Sequence, residues 1–122
     1  MTFVTDPRRR FGNYGEDLAV DFFRSRDFHI LERNWNCRFG EIDLIAEKQN
    51  KLHFIEVKIR RSFTFGYPET SITEKKLKHL SKAVEVYLEK QVPMVRDYQV
   101  DALAILLLPE KSPEFHYIEY IL

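Results

Sequence analysis

The sequence predicts an α/β domain: one mixed β-sheet flanked by helices, with its elements in the order αβββαββ. Three observations predict it. Two stretches carry apolar residues at helical spacing, and five carry the alternation or the short apolar runs of strands. A polar turn, Lys48-Gln49-Asn50-Lys51, joins two of those strands into a hairpin. The chain has 122 residues, 44% hydrophobic and 31% charged, the size and balance of one globular domain. Residues 1–10, with Arg8-Arg9-Arg10, read as a mobile basic arm, and residues 11–122 as a single domain.

In chain order, Gly15 to Arg26 reads as a helix. Leu18, Ala19, Val20, Phe22 and Phe23 form one apolar arc, with Asp17, Asp21 and Arg24 opposite. Glu16 falls inside that arc. Either a partner offsets the cost of a carboxylate on the core-facing side, or Glu16 simply faces the helix dipole from the first turn. Strands follow at Phe28–Trp35, Glu41–Glu47 and Leu52–Arg60. Ser71 to Lys90 reads as a second helix, with a capping-box spacing at Ser71 and Glu74 and an apolar stripe of Leu77, Leu80, Val84, Tyr87 and Leu88. Tyr98–Leu108 is a strand whose later half is continuously apolar, as a buried central strand is, and Phe115–Ile121 is a short last strand.

Cys37 is the only cysteine, so an intramolecular disulfide and a cysteine-cluster metal site are excluded. The longest apolar stretch, Ala102 to Leu108, is too short to span a bilayer, and the N-terminus lacks a signal-peptide layout. The expectation is a cytoplasmic protein without membrane contact or organic cofactor. Net charge is zero, yet Lys58 to Lys82 holds seven Lys/Arg against two Glu, a local patch able to steer a polyanion.

The hairpin carries the chemistry. Side chains alternate faces, so Glu41, Asp43, Ile45 and Glu47 share one face of the second strand. Leu52, Phe54, Glu56, Lys58 and Arg60 share one face of the third, with Ile55, Val57 and Ile59 turned to a core. If Gln49 and Asn50 are the central turn residues, paired numbers sum to 99, which sets Asp43 opposite Glu56 and Glu41 opposite Lys58. Facing carboxylates repel unless a cation lies between them, and a hard divalent ion, Mg²⁺ or Mn²⁺, suits oxygen ligands. A metal so placed polarises a phosphoryl oxygen and activates water, while the Lys58 ammonium stands by the attacking water or the charge developing at phosphorus. A plain charged surface hairpin, with Glu41–Lys58 as a cross-strand salt bridge, is the competing reading.

The run Gly40-Glu41-Ile42-Asp43-Leu44-Ile45-Ala46, followed by Phe54-Ile55-Glu56-Val57-Lys58-Ile59-Arg60, resembles the PD-(D/E)xK nuclease signature. The chain more closely resembles the YraN-type family of uncharacterised, Holliday-junction-resolvase-like proteins. Gly15-Glu16, Asn34, Phe65-Gly66, Lys75, Ala83 and Asp101 extend the match over most of the chain. The resemblance implies a restriction-endonuclease-like αβββαβ core. It also implies Asp43 and Glu56 as metal ligands, Lys58 as catalytic lysine and Glu16 as supporting acid. A Mg²⁺ or Mn²⁺ cofactor and a branched or structured DNA substrate follow from it, and it allows a homodimer. One departure stands out: Gln99-Val100-Asp101 replaces an Arg-Phe-Asp run, so any role of that arginine does not carry over.

Around this centre, Arg60 and Arg61 are candidates for phosphate contacts, and Lys75 joins them because the resemblance places it near the site. Lys75, Lys78, His79 and Lys82 form a basic stripe that a solvated helix face also explains. Ser62 to Tyr67 holds three aromatics, able to stack on bases or to pack beneath the loop. The four histidines are scattered without metal spacing, and Trp35 and Cys37 read as structural. The function expected is a metal-dependent endonuclease; the alternative is a nucleic-acid-binding module on a nuclease scaffold that cuts little.

Overall fold

The computed structural model describes residues 7–62, 72–91 and 97–122, with side chains from residue 13 onward. Its elements are α1 (Pro7–Arg24), β1 (His29–Cys37), β2 (Gly40–Lys48), β3 (Lys51–Arg60), α2 (Glu74–Glu89), β4 (Tyr98–Leu106) and β5 (Glu114–Ile118). The strands form one sheet in the order β1-β2-β3-β4-β5. Neighbours are antiparallel except β3 and β4, which run parallel with α2 as their crossover. This is a mixed sheet with two helices, the α/β class expected.

Each helix covers its own core. Ala19, Val20, Phe22 and Phe23 of α1 pack with Leu44, Ala46, Ile55, Leu103 and Ile105. Leu80, Ala83, Val84 and Tyr87 of α2 pack with Ile45, Leu52, Phe54 and Val100, and Trp35 meets the Tyr87 ring edge-on at 5.2 Å. Ile55 and Phe54 adjoin in β3 and belong to different cores, as a strand buried on both faces requires. Trp35 and Cys37 are packed beside the α2 core, in keeping with a structural role.

Both helix starts differ from expectation, and β4 and β5 end earlier than expected, at Leu106 and Ile118. The first helix begins at Pro7, so the backbone of Arg8–Arg10 is helical. Proline is well suited to open a helix, because its fixed φ fits and its missing N–H has no partner there to lose. The α2 N-cap is Thr73, whose Oγ1 accepts from Lys76 N at 3.2 Å. It replaces the expected Ser71 cap, and Ser71 itself lies outside the described residues. The aromatic positions Phe63, Phe65 and Tyr67 also lie outside them.

The hairpin register is the predicted one. Pairs run from Lys48↔Lys51 to Leu44↔Ile55, with Gln49 and Asn50 at φ 51° and 63° in the turn. Positive φ at both central residues matches the twist of the flanking strands.

Candidate active site

The β2–β3 ladder ends at Leu44↔Ile55, one step before Asp43 and Glu56 would pair. Asn34 of β1 has φ 50°, a left-handed conformation that asparagine tolerates. It sits between the pairs Arg33↔Leu44 and Trp35↔Ile42, and on either side of Asp43 the alternation breaks: Ile42 and Leu44, two residues apart, belong to opposite cores. Asp43 then turns its carboxylate into the opening, where Oδ2 accepts from the Val57 backbone N–H at 2.7 Å. The expected sharing of one face by Glu41, Asp43 and Ile45 gives way here. So does the Glu41–Lys58 cross-strand pair, because the strands have already parted.

Asp43 and Glu56 are nonetheless brought together. Burial first, and the Glu56 carboxylate second, push the Asp43 carboxyl up to about 7, against the pull of the Val57 N–H. Glu56 is only 4% exposed. Two ammonium groups reach its Oε1: Lys58 Nζ at 3.5 Å and Lys76 Nζ at 2.5 Å. Burial and the adjoining Lys76 charge lower the Lys58 pKa. Burial opposes the charge on Lys76 too, but its bonds to Glu56 and Lys58 outweigh that and raise its pKa.

The sequence points to Lys75 near the site and gives no role to Lys76. Lys75 is exposed, and its neighbour makes the contact. A signal existed: Lys76 lies four residues before Leu80 on the face that continues through Val84 and Tyr87, so it points at the sheet.

Glu16 resolves in favour of a partnered carboxylate. Its Oε1 accepts from Arg33 Nε at 3.0 Å and from Asn34 Nδ2 at 2.7 Å. The close approach of α1 to β3 depends on Gly15, where an added Cβ would lie 2.0 Å from Ile59 Cδ1 and 2.7 Å from Cγ1. Glu41 links Glu16 to the buried pair electrostatically: burial raises its pKa, and the charges of Glu16 and Glu56 raise it further. The acids thus form a connected field, although among the described residues no three His, Cys, Asp or Glu side chains stand together as a ready metal cluster.

Access to Glu56 is by a groove of about 160 Å³ between the β1–β2 turn and α2, lined by Phe39, Gly40, Glu41, Glu56, Lys76 and His79. His79, given no role from sequence, stands at this opening. Arg60 ends β3 and its guanidinium bonds the Ile59 carbonyl at 2.9 Å, while Arg61 is exposed just beyond. No helix among the described residues is long and apolar enough to cross a membrane.

Comparison with known proteins gives a consistent family. The profile of the uncharacterised protein family UPF0102 matches residues 15–105. A UPF0102 protein of Syntrophomonas wolfei is 40% identical over 110 residues, covering 90% of this chain and 96% of its own. Relatives from Caldicellulosiruptor saccharolyticus (39% identical; 82% and 85% covered) and Dictyoglomus thermophilum (37%; 93% and 95%) bear the same family designation.

Proposed function

The chain belongs to the uncharacterised family UPF0102 (YraN), and with the site geometry as the second premise we propose that it is a divalent-metal-dependent endonuclease with a restriction-endonuclease-like core. Its substrate in this reading is DNA phosphodiesters, in branched or structured DNA. One observation carries the reading: a buried, mutually repelling carboxylate pair, Asp43 and Glu56, with Lys58 projecting beside it from the same strand. A surface salt-bridge hairpin would leave these groups solvated. Here burial raises the cost of two negative charges, and a hard cation between them removes it.

Asp43 and Glu56 would hold Mg²⁺ or Mn²⁺, which when bound polarises the phosphoryl oxygen and lowers the pKa of water. The remaining work falls to the chain's own side chains. Lys58 and Lys76 place positive charge beside the reacting phosphate, where negative charge grows in the transition state. Glu16, steadied by Arg33 and Asn34, supports the cluster from α1. Arg60 and Arg61 extend positive charge along the strand toward the flanking backbone phosphates.

A binding module that cuts little is the second reading. One contact favours it: the Lys76 ammonium already rests on Glu56 and supplies charge that a metal would supply. The test is incubation with a four-way DNA junction and a linear duplex, with and without Mg²⁺ or Mn²⁺. Metal-dependent junction cleavage, absent in Asp43→Ala and Glu56→Ala, supports the nuclease. Junction binding without cleavage under every metal supports the module and overturns the nuclease.

A further inference from the structure

Lys76 stands where a helix does not favour a cation. It is the third residue of α2, after the Thr73 cap, and its backbone N–H donates to Thr73 Oγ1. The first turn is the positive end of the helix dipole, which stabilises acids and disfavours bases. Glu74 fits that rule and Lys76 breaks it. What holds its ammonium there lies on the sheet: Glu56 Oε1, at 2.5 Å, on a buried carboxylate.

Lys58 Nζ reaches the same oxygen at 3.5 Å. Two ammonium groups converging on one carboxylate oxygen repel each other. The two lysines are not equivalent. Lys58 rises from β3, which is paired on both sides, and its side chain is 16% exposed. The Lys76 side chain is 36% exposed and lines the groove that gives access to Glu56. Its flexible four-carbon stem can carry the ammonium from that groove into water without disturbing the sheet. Lys58 belongs to the site, and Lys76 is the one free to leave.

A divalent cation that takes Glu56 meets the Lys76 charge. Whichever carboxylate oxygen accepts it, the two like charges stand one carboxylate apart, in a buried setting that screens them little. Both cannot be held well at once, and only Lys76 has an open way out.

We propose that Lys76 is a displaceable counter-ion of the site: its ammonium neutralises Glu56 in the metal-free protein and must leave Glu56 before a divalent cation can take that carboxylate. Lys76 therefore protects the buried acid and weakens metal binding at the same time. Once released, its charge remains in the groove by which a phosphate would approach. This inference rests on the reading of Asp43 and Glu56 as metal ligands.

Calorimetric titration of Mn²⁺ into the full chain, Lys76→Gln and Lys76→Arg tests it. Gln removes the charge and keeps a hydrogen-bond donor for Glu56, whereas Arg keeps the charge. Lys76→Gln should bind Mn²⁺ at least about tenfold more tightly than the parent, because the repulsion is gone. Lys76→Arg should bind as the parent does. A purely structural role for Lys76 predicts the reverse for Lys76→Gln, a site weakened or unchanged. If Lys76→Gln does not fold, Lys76→Met carries the same comparison. A parent site that is equal or weaker in Lys76→Gln, or that tightens as much in Lys76→Arg, overturns the proposal and leaves the metal reading standing. No Mn²⁺ site in the parent or in any variant overturns the metal reading, and this inference with it.

Discussion

Asp43 and Asp101 are carboxylates of one sheet, and the protein treats them in opposite ways. Asp101 is fully buried in β4 and receives four hydrogen bonds, from His53, Tyr117, Gln99 and the Tyr120 backbone. Burial disfavours its charge, but those donors outweigh it and hold its pKa below the usual carboxylate range. Asp43 receives one backbone N–H and faces Glu56, and its pKa rises to about 7. The difference teaches that burial does not decide whether a carboxylate is structural; its donors do. An acid with four donors locks strands together; Asp43, with one, keeps a raised pKa beside Glu56, whose charge Lys58 and Lys76 meet.

The largest expected contrast is in activity. Asp43→Ala or Glu56→Ala should lower metal-dependent junction cleavage by about 10³-fold or more, with circular dichroism unchanged. Asp101→Ala should leave the metal site in place while costing about 3 kcal/mol in urea unfolding, because it strands buried donors. If Asp101→Ala instead removed metal binding with full stability, the division between the two acids would fail.

Next comes a reversal of sign. In metal-free buffer, Asp43→Asn should be more stable than the parent by about 2 kcal/mol at pH 8, since it removes a charge repelled by Glu56. The sign follows from the raised pKa. The penalty for ionising Asp43 is absent below its ordinary 3.8, grows as pH climbs, and is complete above about 7. The gap should therefore close by pH 4 in thermal melts. Asp101 runs the other way: its stabilisation is whole above 3.8 and is lost as pH falls through its lower folded value. A stability gap between the Asp43→Asn variant and the parent that stayed constant from pH 4 to 8 would contradict this.

The smallest effect is at Gly15. Gly15→Ala should cost about 1–2 kcal/mol by forcing Ile59 aside, and should weaken the hold of α1 on the site through Glu16. Unchanged urea midpoints would show that α1 does not need its close seat on β3.

Much of this is legible in sequence, because local chemistry sets it. The Gln49-Asn50 turn fixes the register, and the register brings Asp43 toward Glu56. What escapes depends on tertiary placement. The partners His53 and Asp101 are 48 residues apart and meet through parallel pairing across a helical crossover, which no turn arithmetic reaches. Lys76 escapes because a basic residue on an apolar face reads as solvated until the sheet beneath supplies a carboxylate. At Glu16 the sequence leaves a partner and a helix-dipole role both open, and Arg33 and Asn34 supply the partner. The end of the β2–β3 ladder at Leu44↔Ile55, opposite the left-handed Asn34, leaves Asp43 beside the Val57 N–H instead of directly across from Glu56.

The central claim is that the Asp43–Glu56 pair takes a divalent cation. Calorimetric titration of Mn²⁺ into the full chain, and into Asp43→Ala, tests it most directly. A saturable site that releases protons below about pH 7 in the parent and vanishes in the variant is the predicted result. No site in the parent, or the same site in Asp43→Ala, would contradict it.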